Sequence, residues 1–216
     1  MNIIAITDLH GRKNILTTLA PELESADLLL LCGDNTHFGK QKEMEEIVHL
    51  LRGKIPAIYA VTGNCDYPDA EKYLVAAGIS LNASVIRFNG YSLVGLSGSL
   101  PCPGRTPNEY AEEEYEAILN ALHITPGEPL IMVSHQPPFR TLNDAVSPGF
   151  HVGSKSIRKF IENHQPLVCF TGHIHEGRAV DHIGHTLVVN PGPAGAGNFT
   201  SATIEENEVK NIRLRN

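Results

Sequence analysis

Asp8 and His10 stand two residues apart in "TDLHG", where the apolar run "NIIAIT" ends. Four more apolar runs end in residues of the same chemical kind: Gly33-Asp34 after "DLLLLC", Gly63-Asn64 after "AIYAVT", Ser134-His135 closing "PLIMVS", and Gly172-His173-Ile174-His175 after "LVCFTG". Each pattern is common by itself. Asp-x-His arises by chance, Gly-Asp is an ordinary turn, and a histidine after a strand is usually a surface or core residue. Their combination is different, because three carboxylate or amide oxygens and four imidazoles at the carboxyl ends of separate strands have no packing reason to coincide. Such a donor set suits divalent metal chemistry. Two ions about 3.5–4 Å apart can share a carboxylate and a hydroxide, lower the pKa of bound water towards about 7, and clamp a phosphoryl group for in-line attack. Mixed oxygen and imidazole donors favour Mn, Fe, Ni or Zn over the all-oxygen cages of Mg or Ca, and several of these metals compete for one site.

The elements that must position these residues alternate along the chain. Strand-like runs are followed by helical patterns over residues 13–24, 40–52 and 69–77, the signature of strands joined by crossover helices. "ASVIRFNGYSLVGLSG" predicts two strands around the Asn89-Gly90 turn. A loop rich in proline and glycine, "SLPCPGRTPNEY", leads into the acidic helix "EYAEEEYEAILNALH". After "PLIMVS" come a long loop over 136–153, a helix over 154–164 and "LVCFTG", and three strand-like segments close the chain: "HTLVVNPG", "NFTSATIE" and "EVKNIRLR". We find no internal repeat or linker, so the expectation is one α/β domain over residues 1–216.

Composition narrows the function. With 216 residues, 42% hydrophobic and 19% charged, the chain has the make-up of a globular protein. A formal charge of -7 argues against a broad surface for long nucleic acid. Cys32, Cys65, Cys102 and Cys169 are widely spaced and form no C-x-x-C pair, which fits a reducing cytoplasm. The first eleven residues lack a basic leader pattern and no 18 apolar residues run together, so neither secretion nor membrane spanning is expected.

The order D-x-H, G-D, G-N, a lone His and G-H-x-H resembles the calcineurin-like metallophosphoesterases, whose third motif is G-N-H-[DE]; the match runs from Asp8 to His175. The words "TDLHG", "GDNTHFG", "SHQPP", "GHIHEGR" and "VVNPGP" are similar to the Icc-related group within that superfamily. The resemblance implies an α/β four-layer αββα sandwich with a dimetal site at one rim. It implies Asp8, His10, Asp34 and His175 around one metal and Asp34, Asn64, His135 and His173 around the other, with Asp34 bridging. Asp34, Asn64 and His135 would then carry the reaction, a direct attack of metal-bound hydroxide on a phosphoester. Asp66 would orient a neighbour rather than bind metal.

Cys65 departs from the pattern, since the family places there a histidine thought to protonate the leaving oxygen. A thiol cannot supply an imidazolium's charge at pH 7. We read Cys65 first as a neutral thiol lining the site and second as a packing residue. YfcE-type phosphodiesterases of the family also carry Asn-Cys, which turns the expectation from phosphomonoesterase towards phosphodiesterase acting on small phosphoesters. His37, three positions beyond Asp34, and Asn64 are candidate substrate contacts. So is His151, which precedes Ser154, a residue that also reads as an ordinary helix cap whose free N–H groups suit an anion. His49, His123, His164, His182 and His185 lie off the strand-end pattern; Cys32 and Cys169 read as core residues, and Cys102 receives no role. The segments 99–110 and 136–153 are the expected walls of a small-molecule cleft. Two rivals remain open: a protein-binding scaffold, as in a retromer-coat subunit that resembles this fold with a depleted site, and a nuclease.

Overall fold

β1 (Asn2–Ile6) and β2 (Leu28–Cys32) are apolar at nearly every position because both of their faces are covered. In the computed structural model, which describes residues 1–216, alternate side chains of these strands enter different cores. Ile3, Ala5, Leu28, Leu30 and Cys32 face a second sheet, whereas Ile4, Ile6, Leu29 and Leu31 face helices. The first sheet has the order β13-β12-β1-β2-β3, with β3 at Ile58–Val61, β12 at Phe199–Glu205 and β13 at Glu208–Arg215. β1, β2 and β3 are parallel, and β12 runs antiparallel to β1.

The second sheet follows the same logic. Its order is β10-β11-β9-β6-β5-β4, from β4 (Val85–Phe88), β5 (Tyr91–Leu96), β6 (Leu130–Ser134), β9 (Val168–Thr171), β10 (Ala179–Ile183) and β11 (Thr186–Asn190). Ile131, Val133, Val168 and Phe170 point between the sheets, while Met132 and Cys169 point outwards. The outer face of the first sheet carries α1 (Asn14–Thr18), α2 (Ala20–Glu24), α3 (Gln41–Leu51) and α4 (Pro68–Ala76). The outer face of the second carries α5 (Glu112–Ala121) and α6 (Lys155–His164). Four layers result, in the order αββα, and no helix is long and apolar enough to cross a membrane.

The structure corrects several local expectations. The helix expected over residues 13–24 is two short helices meeting at Leu19, because Pro21 falls in the first turn of α2 and has no N–H to continue α1. The three closing segments all form strands, as expected, and they divide between the sheets: β11 joins the second, while β12 and β13 return to β1. β10 was not foreseen. The long loop over 136–153 holds a small hairpin, β7 (Ala145–Ser147) with β8 (Phe150–His151). The Asn89-Gly90 hairpin forms as expected, with φ of 48° and 83° in the left-handed region that a tight turn requires.

The inter-sheet core holds the two sets of strand ends in register. Phe170 is fully buried there. Phe170→Ala is expected to lower unfolding stability by about 3–5 kcal/mol, the cost of an unfilled aromatic site, read as a lower urea midpoint with an unchanged m-value.

Candidate metal centre

All seven candidate donors sit on loops that leave the carboxyl ends of β1, β2, β3, β6 and β9. Backbone hydrogen bonds stitch the first two loops together, from Asp8 N–H to the Gly33 carbonyl (3.0 Å) and from His10 N–H to the Asp34 carbonyl (2.8 Å). Asp8, His10, Asp34 and His173 all have left-handed backbone, with φ of 53°, 45°, 48° and 68°. Residues with side chains persist there only where their surroundings over-determine them, and such positions cluster at functional sites. Two glycines show how close the loops come. A Cβ at Gly63 would strike the Asp34 carboxylate and backbone nitrogen, and one at Gly172 would strike the Thr7 hydroxyl.

Asp34 lies between two groups of donors. Its Oδ2 is 3.7 Å from His10 Nε2, and its Oδ1 is 3.5 Å from His135 Nε2 and accepts a hydrogen bond from Cys65 N–H (2.7 Å). Burial works to raise its pKa, but His135, the Cys65 N–H and His10 outweigh that and hold it well below the usual carboxylate range. Asp8 and His175 close one side, with Asp8 Oδ1 3.4 Å from His175 Nε2 and 4.0 Å from His10 Nε2. His135 and Asn64 close the other, Nε2 to Oδ1 at 3.0 Å. The His173 ring centroid lies 5.3 Å from that of His135, and its backbone N–H donates to Asp8 Oδ2 (3.2 Å).

These residues fit a pair of divalent cations. Asp8 Oδ1 is buried with no hydrogen-bond donor, and His10 Nδ1 is buried without a partner. His135 Nδ1 faces the Cys32 carbonyl (2.9 Å), which only accepts, so Nδ1 carries the proton. Nε2 of the neutral ring then turns its lone pair towards the oxygens of Asn64 and Asp34, an arrangement that only a proton or a cation between them makes favourable.

Asp66 is not a donor to this centre. Its buried carboxylate accepts hydrogen bonds from the backbone N–H of Asn35 (3.1 Å), Thr36 (2.7 Å) and Gly63 (2.9 Å), from the Thr36 hydroxyl (2.6 Å) and from the Asn35 amide (3.4 Å). Burial and the charge of Asp34 push its pKa up to about 6, against the pull of these five donors, each of which favours the charged form. It clamps the loop that carries Asp34 to the loop that carries Asn64. Cys65 is buried next to them, with Sγ 3.6 Å from the Asn64 amide nitrogen; burial first, then Asp34, pushes its thiol well above the ordinary range and keeps it neutral.

Other sequence candidates separate here. His37 is exposed and lies edge-on to His10, with ring centroids 5.9 Å apart. His151 is engaged through one ring nitrogen, its Nδ1 lying 2.7 Å from Asp144 Oδ1, just before β7. The helix N-terminus beside it is filled as well, because Glu112 Oε1 accepts from Ser154 Oγ and Ser156 N–H (both 2.6 Å) while Ser154 Oγ caps Ile157 N–H (3.1 Å). Two neighbours escaped the sequence reading. Cys102 Sγ reaches within 3.6 Å of His173 Nε2, and Arg12 lines an open cleft with His10 and His37. Arg12 follows "TDLHG" directly, and that adjacency is the signal that would have found it.

Comparison with known proteins decides the family. The model of the calcineurin-like phosphoesterases matches residues 1–177. This chain belongs to that family. An uncharacterised protein of Methanocaldococcus jannaschii is 41% identical over 199 residues, covering 89% of this chain and 88% of its own. The crystal structure of a Thermus thermophilus protein is similar with a TM-score of 0.76 at 22% identity, over 100% of this chain and 98% of its own. A dimetal phosphatase from Danio rerio is similar with a TM-score of 0.59 at 11% identity, over 95% and 93%. At those identities the two structures speak for the fold alone. Family and donor cluster together support a dimetal phosphoric ester hydrolase.

The histidines set a pH signature for the metal-free protein. Burial works to lower the pKa of His135, but the Asp34 charge and hydrogen bond outweigh it and push it up to about 9; burial and His135 push that of His173 down to about 4. A raised histidine stabilises fully below its unfolded value of 6.5 and loses that contribution as pH rises through about 9. A depressed one stabilises above 6.5 and loses its contribution as pH falls through about 4. Between about pH 4 and 6 the raised Asp66 offsets the His173 contribution, so the clean signature is alkaline: urea midpoints in chelator are expected to fall from pH 6.5 to 9, with that fall abolished by Asp34→Asn. Metal-free stability that stays flat from pH 6.5 to 9 would contradict the His135–Asp34 pairing.

Proposed function

We propose that this chain hydrolyses small phosphodiesters at a two-metal centre. The observation that carries the reading is the position of Asp34, one oxygen facing His10 and the other facing His135. Two divalent cations, when bound, supply the Lewis-acid charge that polarises a phosphoryl group and acidifies water. Asp8, His10, Asp34 and His175 would hold one cation, and Asp34, Asn64, His135 and His173 the other. Asn64 and His37 would steady phosphoryl oxygens. The identity of the metals stays with the Mn, Fe, Ni and Zn group that mixed oxygen and imidazole donors favour.

The preference for diesters rests on Cys65. Its buried thiol, beside the Asp34 charge, stays neutral at pH 7 and provides no positive charge to a departing oxygen. Substrates whose leaving groups depart without protonation are then favoured over alkyl monoesters. The complete donor set weighs against a scaffold without catalysis, and the net charge of -7 weighs against a nuclease for long polynucleotides. Four unpaired thiols fit a reducing, cytoplasmic setting.

Asp34→Asn removes the charge shared by both cations. It is expected to lower turnover and metal affinity by more than the about 10–100-fold that loss of an outer partner typically costs. A variant that keeps two metals and near-normal turnover would refute the bridging role. Cys65→Ala is expected to leave hydrolysis of a nitrophenyl diester nearly unchanged, whereas Cys65→His raises alkyl monoester turnover relative to that diester. General-acid help is typically worth about 10²–10⁴-fold, so a hundredfold loss in Cys65→Ala on the activated diester would make the thiol catalytic.

A further inference from the structure

A file of four aromatic rings runs outwards from the donor cluster. The His175 and His10 centroids are 5.5 Å apart, His10 and His37 5.9 Å, and His37 and Phe38 5.1 Å, each pair edge-on. The inner two rings are proposed metal ligands. The outermost, Phe38, is 46% exposed and has a left-handed backbone with φ of 53°. For a bulky residue that conformation is a true outlier and calls for a cause.

The cause is the turn around it. Gly39 N–H donates to Thr36 Oγ1 (3.0 Å), Tyr67 N–H donates to the Gly39 carbonyl (3.0 Å), and Thr36 is itself held by Asp66. The clamp that fixes Asp34 therefore also holds an apolar ring out in water beside the site. No core cluster includes Phe38. Next to the file, Arg12, His10 and His37 line a cleft of about 350 Å³. Arg12 is anchored through Nη1 to the Gly195 carbonyl (3.1 Å), which leaves the rest of its planar fork for an anion.

We propose that Arg12, His37 and Phe38 form a substrate subsite for phosphoesters that carry a planar aromatic group. Arg12 and His37 take phosphoryl oxygens, and Phe38 stacks the ring attached to them. A bare aryl group and a nucleobase both supply that ring, since every base has a face to stack. The subsite deepens the phosphodiesterase reading above and rests on it.

The test measures binding to the manganese-loaded full chain by calorimetry with three ligands that are not hydrolysed: methylphosphonate, phenylphosphonate and the 5′-methylenephosphonate analogue of adenosine. The wild type is expected to prefer both ring-bearing ligands, and Phe38→Ala to weaken them by about tenfold while changing methylphosphonate by less than about twofold. Phe38→Trp is expected to keep the preference, and Arg12→Ala to weaken all three ligands. Whichever ring-bearing ligand loses more in Phe38→Ala identifies the source of the ring. A ring preference that survives Phe38→Ala, or that the wild type lacks, overturns the subsite. Hydrolysis of bis(4-nitrophenyl) phosphate separates the two readings: turnover without ring preference sinks the subsite alone, and no turnover with Mn, Fe, Ni or Zn sinks the phosphodiesterase reading and the subsite with it.

Discussion

Asp34 keeps a negative charge at a place almost closed to water, 3% exposed, and much of the surrounding structure serves to hold it there. A buried charge is costly unless partners surround it. Its partners come from three loops: the Cys65 N–H and the Asp66 clamp from the loop after β3, His135 across the inter-sheet gap, and His10 from the end of β1. The same requirement explains the glycines, because Gly63 must let the β3 loop touch the Asp34 carboxylate. It also explains why left-handed backbone gathers at Asp8, His10, Asp34 and His173. The four layers give this cluster its rigidity. Parallel strands of both sheets bring their carboxyl ends to one rim, where short loops suffice to aim each side chain.

Much of this was legible in the sequence, for local reasons. Runs such as "DLLLLC" are apolar throughout, which marks strands covered on both faces, and donors at their ends stand out by residue type and spacing. The partition into sheets was hidden because pairing is non-local: nothing in "EVKNIRLR" says that it returns to the first sheet beside β12. The break at Pro21 was visible in principle and was overridden by the helical periodicity around it. Charge partners were the least legible part. Glu112 answers the N-terminus of α6 from 42 residues away, and Asp144 pairs with one nitrogen of His151, so carboxylates remote from the strand ends shape this helix start.

Asp66 and Cys102 show opposite sides of the same lesson. Asp66 was expected to orient a neighbour, and it does so through backbone N–H groups of two loops rather than through a metal ligand's side chain. Cys102 drew no expectation, yet the loop after β5 brings its sulfur to His173. Spacing along the chain reveals which residues end strands. It does not reveal which loop folds back over them.

The central claim is that Asp34 is shared by two cations. Electron paramagnetic resonance of the metal-free protein titrated with Mn²⁺ addresses it directly, because two ions joined by one carboxylate couple magnetically. Saturation at two equivalents with a spin-coupled spectrum is the predicted result. Saturation at one equivalent, or two equivalents with only isolated-ion signals, would contradict the account.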